Sequence, residues 1–179
     1  MPPVIQAACC RKKRGGWDFE SAGVIEAEHS VLVCVDIDTV WRYVKDMQRW
    51  AALMPGYREC MVIDANDSRW TLKVGVGGLV RTVKVLVHVD EWREPACVRF
   101  SYGLEGDPVQ GGGSYAALRK GGAETEVVLR VTVAGSGPMA PMWEAMSRPL
   151  LPKLAKSFAE KLKAEIESAP AGSPIWKPI

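Results

Sequence analysis

The sequence predicts an α+β domain in which a seven-stranded antiparallel sheet packs against one long C-terminal helix. Three observations support this prediction. Hydrophobic and polar residues alternate with period two from residue 69 to residue 134, as in strands that have one buried and one solvent-facing side. Turn-forming pairs such as Gly77-Gly78 separate the alternating segments. From residue 139 onward the apolar residues recur every three or four positions, which is typical of an amphipathic helix.

The first predicted elements are a strand and two short helices. The strand covers His29 to Val35, and Asp38 is a suitable N-cap for a helix from Thr39 to Lys45. A second helix covers Gln48 to Leu53. It ends before Pro55 because the residue that precedes a proline disfavours helical backbone angles.

Six further strands complete the predicted sheet. They are Tyr57 to Ile63, Arg69 to Val76, Val80 to Trp92, Pro95 to Leu104, Gly111 to Arg119 and Glu124 to Ala134. The glycines of residues 75–78 precede a strand rather than a helix, so they indicate a hairpin turn or bulge and no dinucleotide site. The glycines of residues 111–113 predict a bulge or a close approach of another part of the chain.

The last predicted element is a helix from Met139 to about Ser168. Its apolar stripe is Met139, Met142, Met146, Leu150, Leu154, Phe158, Leu162 and Ile166. Steps of four residues drift around a straight helix by roughly 40° each, so one regular helix cannot keep the whole stripe against a sheet. Pro149 and Pro152 therefore predict a kink or restart that turns each half of the helix inward.

The domain is expected to span residues 28–168, between a flexible N-terminal extension (1–27) and a Pro-rich C-terminal tail (169–179). No apolar run is long enough to span a membrane, and the net charge of +2 does not call for a nucleic-acid partner. A basic run, Arg11 to Arg14, lies in the N-terminal extension. The N-terminal extension and the C-terminal tail are expected either to guide the protein to a membrane surface or a partner, or to be disordered solubilising ends. The expected location is the cytoplasm, with peripheral contact at the inner membrane face as the alternative.

The residues that carry most chemistry form no recognisable constellation. The five cysteines are odd in number and contain no Cys-x-x-Cys pair, and only two histidines, His29 and His88, are present. We therefore expect no metal site, no cofactor and no catalytic residues. His88 is expected on the solvent-facing side of its strand, together with Lys84 and Asp90.

Several local sequences carry a family resemblance. They are Val40-Trp41-Arg42-Tyr43-Val44-Lys45-Asp46, Leu53-Met54-Pro55-Gly56, the glycines of residues 75–78 and 111–113, and Phe158-Ala159-Glu160-Lys161-Leu162. With the element order, they resemble the START-like (SRPBCC) superfamily, and within it the G-subunit family of carbon monoxide dehydrogenase. The resemblance covers about residues 28 to 168. It implies the helix-grip fold, a curved sheet wrapped around the terminal helix, and a hydrophobic ligand such as a lipid, quinone or polyketide.

A curved sheet covered by one helix leaves space for an apolar ligand, and methionines suit a pocket of adaptable shape. The same residues could instead fill the core. The resemblance favours a ligand-binding cavity between the sheet and the first half of the last helix. Its predicted walls are Leu53, Met54, Leu72, Val74, Val85, Phe100, Tyr102, Met142, Met146 and Leu150.

Three functional hypotheses remain open at this point. The first is a binding or carrier domain for a hydrophobic small molecule, serving a membrane-linked redox enzyme as the resemblance to the carbon monoxide dehydrogenase family implies. The second is a polyketide cyclase or dehydratase type of enzyme, for which Tyr102, Thr125 and Arg81 are the polar candidates. The third is a protein-interacting domain with a collapsed cavity. Three scattered polar groups favour binding over catalysis.

Overall fold

The structure, a computed structural model, describes residues 24–76 and 78–168. The N-terminal basic run and the predicted Pro-rich tail lie outside these residues. The described chain confirms the α+β prediction, with a seven-stranded antiparallel sheet and a long C-terminal helix. No helix in the described ranges is long and apolar enough to cross a membrane.

The strands and helices follow one another in the predicted order. Their bounds are β1 Ile25–Val33, α1 Ile37–Val44, α2 Met47–Ala52, β2 Tyr57–Val62, β3 Asp67–Val76, β4 Leu79–Arg93, β5 Cys97–Leu104, β6 Val109–Gly121, β7 Glu124–Gly135 and α3 Ala140–Ser168. A 3₁₀ turn at Gly137–Met139 leads into α3. The sheet order is β1-β7-β6-β5-β4-β3-β2. Strands β2 to β7 therefore form successive hairpins, and α1 and α2 carry the chain from one sheet edge to the other.

Most element boundaries differ from the predictions by one to four residues, and two of these differences have identifiable reasons. Strand β1 begins at Ile25, because Ile25 and Ala27 are buried and pair with β7. Residues 25–27, assigned above to the N-terminal extension, are thus part of the sheet. The N-cap of α1 is Asp36 rather than Asp38, since the Asp36 carboxylate accepts a hydrogen bond from the Thr39 amide at 2.9 Å.

Helix α3 packs against β1 and β7 and is continuous through Pro149 and Pro152. None of its residues before Leu151 is buried, and Met139 and Met142 are exposed. The prediction that both halves face inward is therefore wrong for the first half. The buried stripe is confined to the second half: Leu151, Ala155, Phe158, Ala159, Leu162 and Ile166. Because the helix does not restart, the drifting stripe meets the sheet over part of its length only.

The C-terminal end of α3 is fixed to the end of β1 by a small polar network. The Lys163 ammonium donates to the Leu32 carbonyl at 2.6 Å and to the Glu167 carboxylate at 2.7 Å. The same carboxylate accepts from the Cys34 amide at 2.9 Å. The Lys163 hydrogen bond holds the pKa of Glu167 below its usual range. This network therefore joins the last turns of α3 to the residues at the end of β1, beside the buried stripe of the helix.

The glycines of β6 allow aromatic side chains of β5 to lie against the sheet. A Cβ atom at Gly113 would overlap the Arg130 carbonyl oxygen and lie 2.6 Å from Phe100 Cζ. A Cβ atom at Gly111 would lie 2.7 Å from Tyr102 Oη. Of the two sequence-based alternatives for residues 111–113, the structure shows the close approach.

We expect Gly113→Ala to lower the free energy of unfolding by roughly 1–3 kcal/mol, as overpacking of a filled core does. The matched control is Gly103→Ala on the adjacent strand, where the nearest atom to the added Cβ is 3.8 Å away. Urea denaturation of both variants measures the difference. Equal stability of the two variants would contradict the close packing of Phe100 on Gly113.

Candidate functional site

One indole side chain joins the helices to the inner face of the sheet. The short helix α2 is capped by Asp46, whose carboxylate accepts from the Gln48 amide at 3.0 Å. The helix thereby directs Trp50 into the core, where 8% of the residue remains exposed. The ring centroid of Trp50 lies 5.9 Å from Phe100 of β5, 6.0 Å from Tyr115 of β6 and 5.8 Å from Phe158 of α3. We call these four side chains the Trp50 cluster.

A small apolar cavity adjoins the Trp50 cluster. Met47 and Trp50 of α2, Trp70 and Trp92 of the sheet, and Phe100 form most of its wall, with three valines of β4 and β5. The cavity volume is about 20 Å³, which is room for roughly one water molecule. Sites for small organic ligands are much larger, roughly 300–1,000 Å³. A ligand can therefore enter here only if the surrounding side chains move apart.

Two polar atoms of the Trp50 cluster are buried without a hydrogen-bond partner: Trp50 Nε1 and Tyr115 Oη. Tyr115 is fully buried, and burial raises the pKa of its phenol far above the ordinary value. The hydroxyl group therefore stays neutral and keeps its proton. Such unpaired groups are uncommon, because each costs desolvation energy that no hydrogen bond offsets.

Three other polar side chains of the interior form hydrogen bonds. Tyr102 Oη donates to the Thr132 carbonyl at 2.7 Å, and Thr125 Oγ1 donates to the Val35 carbonyl at 2.8 Å. Trp70 Nε1 donates to Ser68 Oγ at 2.9 Å. A third buried atom without a hydrogen bond, Arg69 Nε, lies 3.4 Å from the Glu105 carboxylate, which compensates its charge. Among the buried side-chain atoms of the described residues, Trp50 Nε1 and Tyr115 Oη are thus the neutral ones without a hydrogen-bond partner.

The predicted wall residues divide into two groups. The members from the sheet and from the turn after α2 lie in the largest buried cluster or pack against it: Leu53, Met54, Leu72, Val74, Val85, Phe100 and Tyr102. The structure has a second, smaller buried cluster around Ile25 and Leu151. The α3 members of the predicted wall belong to neither cluster: Met142, Met146 and Leu150. Met142 is exposed, while Met146 and Leu150 are half-buried. Phe100 alone of the ten also lines the cavity. The structure therefore brings together the sheet side of the predicted wall and leaves out the helix side.

Seven of the eight cavity-lining residues, and also Tyr115, were not among the predicted wall residues; Trp92 and Tyr115 were missed for different reasons. Strict alternation after Val89 turns Trp92 away from the core, but a register shift between Val89 and Glu91 returns it to the inner face. Trp92 then lines the cavity and contacts the Trp41 ring edge-on at 6.2 Å. Tyr115 shares its face with the buried Ala117, and this alternation is the signal that could have found it.

The three polar side chains considered for catalysis, Tyr102, Thr125 and Arg81, do not form a common site. Tyr102 and Thr125 use their hydroxyl groups in the hydrogen bonds to backbone carbonyls described above. The Arg81 side chain is 61% exposed and forms an ion pair with Asp107 at 2.9 Å. No three His, Cys, Asp or Glu side chains within residues 24–76 and 78–168 are placed to hold a metal ion.

His88 lies on the outer face of the sheet, as the alternation predicts. Its Nδ1 atom lies 2.8 Å from Asp67 Oδ1, and its side chain is half exposed. The hydrogen bond to Asp67 is the main cause of a raised pKa for His88. His88 is therefore an exposed, carboxylate-paired side chain that lies outside the candidate site.

The sheet, the two short helices and the long terminal helix define a START-like, helix-grip protein. The chain belongs to the family of polyketide cyclases, dehydrases and lipid transport proteins, whose model matches residues 24–167. No protein of curated function has a matching sequence.

Solved structures similar to this chain share its fold at low sequence identity. A conserved protein from Geobacillus kaustophilus has a TM-score of 0.69 at 17% identity, covering 79% of this chain and 95% of its own. The Zhui aromatase/cyclase from Streptomyces sp. R1128 has a TM-score of 0.66 at 17% identity, with coverage of 84% and 99%. A START superfamily protein from Mycobacterium smegmatis has a TM-score of 0.60 at 14% identity, with coverage of 78% and 98%.

We expect Tyr115→Phe to leave the ligand-free protein equally stable or more stable, because it removes an unpaired buried hydroxyl group. Tyr102→Phe should instead lower the free energy of unfolding by about 1 kcal/mol, since it deletes the hydrogen bond to Thr132. Chemical denaturation of the two variants tests this contrast. A larger loss for Tyr115→Phe than for Tyr102→Phe would show that the Tyr115 hydroxyl has a partner in the folded protein.

We expect Asp67→Asn to lower the pKa of His88 toward its ordinary value of about 6.5. A raised folded-state pKa stabilises the fold fully below the unfolded value, and this contribution disappears as the pH rises through the folded value. In the parent protein, the stability contributed by the His88–Asp67 pair is therefore lost above pH 6.5. In the variant, this pH-dependent contribution should be absent. NMR titration of the His88 ring measures both proteins. Asp90→Asn is the control, because Asp90 contributes less to the shift; an equal effect of both substitutions would contradict the assignment to Asp67.

Proposed function

We propose that this protein binds or carries a hydrophobic small molecule in its core, in a space that extends from the cavity under α2 along the inner face of the sheet to helix α3. The family description includes lipid transport and polyketide cyclisation, and both activities involve hydrophobic small molecules. The observation that carries the proposal is the apolar cavity beside Trp50, which adjoins the largest buried cluster. Side chains that pack through rings and methionines can rearrange around an apolar guest more readily than a polar network can.

The proposed binding surface combines a sheet side and a helix side. The sheet side comprises the seven predicted residues in or against the main buried cluster, together with the cavity residues Met47 and Trp50. The α3 side comprises Met142, Met146 and Leu150, which would have to move inward on binding. Because the cavity holds only about 20 Å³, the proposed site has to open around its ligand.

A narrower proposal concerns the destination of the ligand. The likeness to the G-subunit family of carbon monoxide dehydrogenase suggests delivery to a membrane-linked redox enzyme. Contact with that enzyme, or with the inner face of the membrane, would then be made through the two tails, where the basic run Arg11 to Arg14 would supply the attraction to anionic lipid.

The alternative function is a polyketide cyclase or dehydratase type of reaction in the same space. The Zhui aromatase/cyclase shares the fold. Within this chain, the buried phenol of Tyr115 is the group that such a reaction could use, because its hydroxyl is not engaged elsewhere. With Tyr102, Thr125 and Arg81 engaged in other contacts, one phenol is a weak basis for catalysis, so binding is the preferred proposal.

We expect Met47→Lys and Met146→Lys each to weaken uptake of decylubiquinone by roughly tenfold, because a buried charge at an apolar wall costs at least about 1.4 kcal/mol. Met139→Lys should have no effect, since Met139 is 48% exposed and lies outside the proposed wall. Quenching of tryptophan emission measures uptake by all proteins.

Comparison of the three methionine variants shows which part of the proposed site is wrong if the prediction fails. If all variants bind like the parent, the cavity is not the binding site. If Met47→Lys alone weakens binding, the site lies under α2 and the α3 wall is wrong.

A further inference from the structure

Two adjacent apolar side chains project from the turn that joins β3 to β4. Leu79 is 80% exposed and Val80 is 62% exposed, and they are the most exposed large apolar side chains among the residues whose burial the structure describes. A Cβ atom added at Gly78 would meet no atom within 4 Å, so the turn stands clear of the rest of the described chain. Because successive strand residues point to opposite faces of a sheet, this tip is apolar on both sides.

Two exposed methionines lie at the same end of the sheet as the β3–β4 tip. Neighbouring strands are antiparallel throughout, so β3, β5 and β7 run in one direction and end together. The turn after β5 contacts both of its neighbours. Asp107 pairs with Arg81 of β4 at 2.9 Å, and the Pro108 carbonyl accepts a hydrogen bond from the Ser136 amide at 2.8 Å, just before the 3₁₀ turn and α3. We call the exposed apolar side chains at this end the apolar rim: Leu79, Val80, Met139 and Met142.

The charges beside the apolar rim suit an anionic surface. Residues 68–89, which form most of the β3–β4 hairpin, contain four Lys or Arg residues and no Asp or Glu. Two of these cations pair with the acidic residues of the turn after β5, and the other two, Lys73 and Lys84, are exposed. Glu144 of α3 has Arg148 one turn further along the helix. The uncompensated charge beside the rim is therefore positive, and a leaflet of anionic lipid attracts it.

The opposite end of the sheet also exposes apolar residues, but beside the opposite charge. Met61 is 52% exposed and Ile63 is 55% exposed at the end of β2. Asp64 and Asp67 follow them in the turn, where the Asp64 carboxylate accepts a hydrogen bond from the Asp67 amide at 2.9 Å. An anionic surface repels these carboxylates. Charge and apolar exposure therefore coincide only at the rim end.

The shape of the tip favours a bilayer over a protein surface. A flat protein partner covers one side of a strand pair, whereas lipid surrounds an inserted tip and buries Leu79 and Val80 together. Burial of apolar side chains combined with attraction of cations to anionic headgroups is the usual basis of peripheral membrane binding.

We infer that the apolar rim docks on an anionic lipid bilayer, with the β3–β4 tip inserted among the headgroups and with Lys73 and Lys84 against the surface. The folded domain makes this contact, in addition to the membrane contact proposed above for the tails. It requires no ligand in the core, so it does not depend on the proposed function.

Co-sedimentation of the full-length protein with vesicles at low salt tests this inference. The parent should bind vesicles of phosphatidylcholine and phosphatidylglycerol more tightly than vesicles of phosphatidylcholine alone. The rim variant, Leu79→Glu with Val80→Glu, should bind the anionic vesicles roughly tenfold more weakly, because it loses two apolar contacts and adds two repelled charges. Hydrogen exchange of the β3–β4 turn amides should slow when the parent binds these vesicles.

The matched control variant is Met61→Glu with Ile63→Glu, which makes the same change of charge at exposed apolar positions of the opposite end. It should bind the anionic vesicles like the parent, and circular dichroism confirms that both variants are folded.

Three results would overturn the inference. If the rim variant binds the anionic vesicles as well as the parent does, any membrane contact is made elsewhere in the chain. If both variants weaken binding equally, net charge and not the rim determines it. If the rim variant converts a dimer into a monomer in sedimentation velocity without lipid, the rim is a contact between two copies of the chain.

Discussion

The packing of Trp50 is the interaction on which the rest of the structure depends. A helix of six residues, α2, has too few internal hydrogen bonds to be stable alone. Its indole contacts one ring from each of β5, β6 and α3, and so ties the helical layer to both the sheet and the terminal helix. Aromatic pairs in edge-on geometry stabilise such contacts beyond the area they bury.

The glycines of β6 and the aromatic residues of β5 form one arrangement. Because Gly111 and Gly113 have no side chains, the rings of Tyr102 and Phe100 lie over that strand. Phe100 also lines the cavity beside Trp50, whose volume is about 20 Å³. The protein thus combines a closed apolar core with two unpaired polar atoms, an arrangement that suits a site formed around its ligand.

The strands could be predicted from the sequence because alternation alone determines which side chains face a covered sheet. The prediction failed where alternation is interrupted, as at the bulge that returns Trp92 to the inner face. It also failed for the first half of α3, because the helical stripe does not reveal how far the sheet extends beneath it. The sequence could not predict that Trp50 Nε1 and Tyr115 Oη lack hydrogen-bond partners, since this depends on which polar atoms the fold places near them. For the same reason, the sequence could not predict that Tyr102 donates a hydrogen bond to the Thr132 carbonyl.

The central claim is that an apolar molecule occupies the core of this protein. Native mass spectrometry of the full-length protein, as purified and after incubation with a mixture of quinones and neutral lipids, tests it most directly. We expect a complex whose added mass is released by organic extraction and identified as an apolar compound. Detection of the ligand-free mass alone under both conditions would contradict the claim.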